Sequence, residues 1–171
     1  MLTINKLLVQ GRGLSTVLRQ RASAVELDWD TRSKSRFDAT DSNGRALAVF
    51  LPRGTVLRGG DMLVAQDGSL LRVVAAPQPV LVVRAGPRHG SPFDLLRAAY
   101  HLGNRHVPLE LQADRLQLEP DHVLAALLRQ MQLIVDEATA PFEPEAGAYA
   151  ATGHGHTAHR HPHTHEHGHS H

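Results

Sequence analysis

The chain has 171 residues, 42% of them hydrophobic, and its 18 Lys and Arg against 17 Asp and Glu leave a formal charge of +1 at pH 7. That length suits one large or two small domains, and the near-balance of charge argues against a nucleic-acid partner, which selects concentrated basic surface. Cysteine is absent, which excludes a disulfide scaffold, thiolate-ligated zinc, an iron–sulfur cluster and a thiol nucleophile.

No run approaches the roughly 18 apolar residues of a membrane span, so no membrane partner is expected. The first ten residues, MLTINKLLVQ, lack the basic-then-apolar layout of a secretory signal, and a cytoplasmic location is the expectation.

From Met1 to Ala76 short strands alternate with turn signals. Leu2 to Val9 and Val25 to Trp29 are strand candidates. Arg36 to Thr40 and Arg45 to Leu51 flank Asp41-Ser42-Asn43-Gly44, whose Asn-Gly predicts a hairpin. Met62 to Gln66 and Ser69 to Ala76 flank Asp67-Gly68 and predict a second one. No segment here shows a helical period, so residues 1–76 read as a small all-β domain of two sheets or a barrel.

At Pro77-Gln78-Pro79 the pattern changes. Val80 to Val83 is a short apolar run that fits a buried strand. Ser91-Pro92-Phe93-Asp94 opens a helix, with Ser as cap and Pro at the first helical position. Leu95, Leu96, Ala99 and Leu102 then share a face, and Gly103-Asn104 offers a left-handed stop. Leu109, Leu111, Leu116 and Leu118 alternate with polar residues around Ala113-Asp114, as in a hairpin. Glu119-Pro120-Asp121 starts a second helix with Val123, Leu124, Leu127, Leu128 and Met131 on its apolar stripe. Leu133-Ile134-Val135 closes with a strand. The order β-α-β-β-α-β over residues 77–140 predicts a ferredoxin-like domain, and the fold class as a whole is α+β.

Residues 141–153 (PFEPEAGAYAATG) read as an extended linker. Beyond it, nine of the thirteen histidines fall within residues 154–171: His154, His156, His159, His161, His163, His165, His167, His169 and His171. With almost no apolar residue, this segment is predicted to be a disordered, metal-binding tail. An affinity tag would be a plain block, whereas these histidines are interleaved with Thr, Pro, Glu, Ala and Ser.

Imidazole is therefore the one plentiful ligand type, and it suits Ni, Zn, Cu(II) and Fe. Of the remaining histidines, His89 reads as an exposed loop residue, and His101 sits late in a helix, where a cation is favourable. His122 lies in the first turn of the second helix, where the dipole disfavours imidazolium and leaves the ring a better ligand; a stray surface histidine is the competing reading. His106 follows the helix stop, where neither core packing nor capping accounts for it. No Walker A, HExxH or GxSxG pattern occurs, and no local arrangement promotes Ser, His and Asp to a triad, so the chain is not read as an enzyme.

At Tyr100-His101-Leu102-Gly103-Asn104-Arg105-His106-Val107-Pro108-Leu109 the sequence resembles the UreE family of urease accessory proteins, which are nickel metallochaperones. Asp121-His122-Val123-Leu124, the segment Pro141 to Tyr149 and the His-rich tail extend the resemblance over essentially the whole chain. It implies that residues 1–76 are a partner-binding domain and that a homodimer forms through the second domain. His106 from both protomers would be the principal Ni(II) ligand, His122 would match one position of a further metal site whose other position is Pro120 here, and tail histidines would complete the coordination. It also implies delivery to the urease apoprotein together with its accessory proteins, including the GTPase UreG, with Zn(II) or Cu(II) as competitors. The rival reading is a nickel or zinc storage or detoxification buffer acting through the tail; a weaker third is an interaction module with a solubilising tail.

Overall fold

The computed structural model describes residues 1–86 and 91–147. His89 and the tail histidines from His154 to His171 lie outside them.

The first half forms a single six-stranded sheet rather than two sheets or a barrel. Its strands are β1 (Leu2–Leu8), β2 (Ser23–Leu27), β3 (Arg36–Thr40), β4 (Ala46–Phe50), β5 (Met62–Ala65) and β6 (Leu70–Ala75), in the order β2-β6-β5-β1-β4-β3. β1 runs parallel to β4 and antiparallel to β5, and β2 runs parallel to β6. Ile4, Val25, Leu47, Val49, Leu57, Leu63, Leu71 and Val73 build the core.

Both predicted hairpins are present. In the first, the Asp41 carboxylate accepts from the Asn43 and Arg45 amides and pairs with the Arg45 guanidinium. Gly44 takes φ 76° there, a region open to glycine at little steric cost.

This half is not wholly β, which corrects the expectation. Helix α1 (Thr16–Arg21) is capped by Ser15, whose side chain accepts from the Leu18 amide, and it buries no side chain. A helix that buries nothing carries no apolar period to read. Helix α2 (Trp29–Arg32) is a single turn capped by Asp28, so Trp29 is helical and not the end of a strand.

The second half follows the expected element order: β7 (Pro77–Arg84), α3 (Pro92–Gly103), β8 (Glu110–Leu111), β9 (Leu116–Leu118), α4 (His122–Gln130) and β10 (Ile134–Pro141). The strands lie in the order β10-β7-β9-β8, with every neighbouring pair antiparallel. Pro77 and Pro79 are tolerated inside β7 because β9 pairs only with Leu81 to Val83, which leaves that end of β7 bonded on one side.

At the start of α3 the Asp94 carboxylate accepts from the Ser91 amide and hydroxyl. At the start of α4 Asp121 caps the amides of Val123 and Leu124. Leu95, Ala98 and Leu102 of α3 and Ala125 and Leu128 of α4 pack onto Leu81, Val83, Leu116, Leu118 and Val135. Leu96 and Val123, expected on the inward stripes, are exposed instead.

The two halves meet at a joint that the sequence placed in a linker. Phe142 is fully buried with Val80 and Val82, and Trp29 and Ala140 pack against this cluster. The ring of Trp29 meets Phe142 edge-on at 6.1 Å. Arg32, also fully buried, donates to the Leu27 and Phe142 carbonyls and pairs with Glu143 at 3.0 Å. Arg58 donates to the Pro144 carbonyl and pairs with Glu143 at 3.3 Å. Both guanidinium groups lie over Trp29, 5.4 and 5.1 Å from its ring centre. Residues 142–145 are thus a structured clasp between the two halves.

Candidate metal centre

Helix α3 ends in a way that isolates one histidine. The Val107 amide donates to the Leu102 carbonyl and the His106 amide to the Gly103 carbonyl. This is the paired bonding that closes a helix through one left-handed residue. Gly103 and Asn104, expected to supply that residue, do not: Asn104 keeps φ −62°. His106 takes the position itself, at φ 57°. The helix stop therefore does account for the backbone of His106, contrary to the sequence reading, although it makes no use of the imidazole.

The side chain of His106 is exposed, as is that of His101 one turn earlier. His101 meets the Tyr100 ring edge-on at 5.5 Å, and its carbonyl accepts from Arg105. His122 is the first residue of α4 and is exposed, bordering a shallow depression shared with Pro120, Asp121, Arg129 and Glu137. Among the described residues no three His, Cys, Asp or Glu side chains come together in a group able to hold a metal ion. One protomer therefore presents His106 as an isolated, solvent-facing donor.

A feature the sequence reading missed leads toward it. Phe93, Leu96 and Tyr100, spaced three and four residues apart on α3, are 62%, 64% and 67% exposed. They form an apolar stripe on the face of α3 turned away from its own core. The spacing carries the signal, but the period of α3 places Leu96 on the inward face, and nothing in the sequence assigns Phe93 or Tyr100 to a face.

Sequence comparison decides the family. The UreE urease accessory protein N-terminal domain matches residues 4–76, and the C-terminal domain of the same family matches residues 78–171. The chain belongs to the UreE family. Its similarity to individual UreE proteins is high. It is 76% identical over 149 residues to the urease accessory protein UreE of Methylibium petroleiphilum, covering 87% of this chain and 69% of that protein. It is 72% identical over 154 residues to that of Paracidovorax citrulli (90% and 73% covered) and 70% identical over 151 residues to that of Verminephrobacter eiseniae (88% and 90% covered).

UreE membership implies a role in urease maturation, as an accessory chaperone rather than an enzyme, and an association with nickel handling. No helix among the described residues is long and apolar enough to cross a membrane.

Proposed function

We propose that this UreE chain carries Ni(II) as cargo, as a homodimer in which His106 of both protomers forms a shared site, and releases it for assembly of the urease active centre. One observation supports this above the others. His106 is exposed at a strained helix end with no ready-made ligand group around it among the described residues, beside an apolar stripe of α3 that its own domain leaves uncovered. Docking two such stripes buries apolar surface and brings two imidazoles together. A pair of neutral imidazoles binds borderline metals such as nickel and leaves coordination positions open, so the ion can be passed on.

The histidines from His154 to His171 act as the loading segment. Eighteen residues reach about 60 Å at most when fully extended, enough to approach a site on the dimer axis. His122 is a secondary ligand, supported by its exposure at the first position of α4, where the helix dipole disfavours the imidazolium. Zn(II) and Cu(II) compete for the same imidazoles. In the proposed division, residues 1–76 meet partners, 77–140 dimerise and bind metal, and the GTPase UreG and the urease apoprotein receive the ion in the cytoplasm. The second unit is assigned to the ferredoxin-like class, which its strand order β10-β7-β9-β8 supports.

The test measures nickel per dimer and urease activation at limiting nickel. Removing everything after Gly153 lowers the number of ions bound but leaves one dimer-shared site and much of the activation. His106→Ala keeps the tail's capacity and impairs delivery. If the truncated protein fails to activate while His106→Ala activates normally, a tail-driven buffer replaces the carrier centred on His106. Light scattering that finds a monomer with and without nickel removes the shared site.

A further inference from the structure

The clasp joins the first half to the stretch of chain that follows His106, and both connections pass through Glu143. Its carboxylate faces the first half. It pairs with Arg32 at 3.0 Å and with Arg58 at 3.3 Å, and it accepts from the Gly59 amide at 2.8 Å. Gly59 lies so close that a β-carbon there would meet this carboxylate at 3.0 Å. The backbone at the same point faces the second half. The Glu143 amide donates to the Glu110 carboxylate at 2.7 Å, and the Glu145 amide donates to the Leu109 carbonyl at 2.7 Å. The other oxygen of Glu110 accepts from the Gln112 side chain at 2.7 Å, so both are engaged.

Leu109 and Glu110 are the third and fourth residues after His106, and little slack separates them from it. Val107 packs against the core of the second half, Leu109 is buried in that core, and the ring of Pro108 between them fixes its own φ. On its other side His106 is closed off by the stop of α3, its amide bonded to the Gly103 carbonyl. The loop is therefore pinned twice, once by the helix and once by the clasp. An ion shared between two imidazoles is sensitive to such pinning, because ligand distances in a sound metal site vary by only about 0.2 Å. Contacts that orient a ligand without touching the metal change affinity for that reason.

We propose that Glu143 is a positioning residue for the nickel site: by tying the first half to the chain after His106, it holds that loop where an ion shared across the dimer can be bound. The inference rests on the carrier reading and adds to it a route by which the first half influences the ion. Coupling between two sites is reciprocal. Whatever factor the closed clasp adds to nickel affinity, bound nickel adds to closure of the clasp. A contact that only fastened the two halves together would lower stability when removed, but the clasp would not respond to metal.

The test follows amide exchange in residues 142–147 of the full-length protein by mass spectrometry, metal-free and with one Ni(II) per dimer, and measures nickel affinity by calorimetry. The Glu143 and Glu145 amides are bonded across the clasp, so their exchange reports its opening. Nickel is expected to slow that exchange about fivefold, near the lower end of coupling between sites, and to leave it unchanged in His106→Ala, where only the tail binds. Glu143→Gln is expected to weaken the shared site by about the same factor, and Glu110→Gln to act in the same direction. Should Glu143→Gln fail to fold, Glu110→Gln carries the comparison. Asp41→Asn, which loosens the first half away from the clasp, leaves the affinity unchanged. Three results overturn this inference and leave the carrier reading intact: exchange indifferent to nickel while the shared site fills, unchanged affinity in the folded clasp variants, or equal weakening by Asp41→Asn. Identical nickel binding by the parent chain and His106→Ala overturns both.

Discussion

Two residues of the second half adopt the left-handed conformation without being glycine in the same structural role, and this permits a controlled experiment on His106. At the end of α4 the Leu133 amide donates to the Leu128 carbonyl and the Gln132 amide to the Arg129 carbonyl, with Gln132 at φ 65°. This repeats the stop at the end of α3, where His106 stands at φ 57°. A residue with a β-carbon loses about 1–2 kcal/mol in that conformation, whereas glycine loses more backbone freedom on folding, an opposing effect of about 0.5–1 kcal/mol. The balance predicts that His106→Gly and Gln132→Gly each stabilise the metal-free protein by about 0.5–1 kcal/mol in denaturant unfolding. The two variants part company in function: His106→Gly loses the shared nickel site in calorimetry, and Gln132→Gly keeps it. Should His106→Gly destabilise the protein, the imidazole is part of the fold, and the argument that it is kept for a ligand fails.

Leu96→Glu, placed in the exposed stripe of α3, should yield a folded monomer in light scattering that binds no dimer-shared nickel; a dimer of unchanged stability would place the interface elsewhere. Glu143→Gln should loosen the clasp by about 1.5–3 kcal/mol, the loss of a charged hydrogen-bond partner, since burial already pushes the Arg32 pKa down and Glu143 opposes that shift. Trp29, the single tryptophan, lies beneath both arginines of the clasp and reports the change in its emission; an unaltered unfolding curve would show the pair to be inert. Burial raises the Asp41 pKa, but hydrogen bonds from Arg45, Ser23 and Asn43 outweigh it and bring the group to about 2. With its folded pKa depressed, Asp41 stabilises the first hairpin above its ordinary value of 3.8 and ceases to do so as pH falls from there toward 2. Asp41→Asn should remove that part of the acid sensitivity, as amide exchange in the 41–45 turn would show.

What the sequence revealed about the fold depended on how far each signal had to travel along the chain. Asn43-Gly44, Asp67-Gly68, Ser91-Pro92 and Asp121 act on their immediate neighbours, and the hairpins and both long helices appear where those residues point. Helix α1 buries no side chain, so it leaves no period. Helix α2 is one turn long, and its buried residue is an arginine, a type that composition assigns to the surface. Phe142 looks like part of a Pro- and Ala-rich extension because its carbonyl partner, Arg32, stands 110 residues away. No local rule connects them.

The site shows the same division within a single residue. That His106 lies just past a helix stop can be read from Gly103-Asn104-Arg105-His106. That it fills the left-handed position itself cannot, because glycine is nearby and favoured for it. The placement has a chemical consequence. The imidazole is exposed, and among the described residues neither packing nor hydrogen bonding involves it. In the proposed carrier this serves release as well as binding: a ring fixed by its backbone but unencumbered at its nitrogens can pair with a second copy around a nickel ion, and no surrounding ligand cage has to be dismantled when the ion leaves.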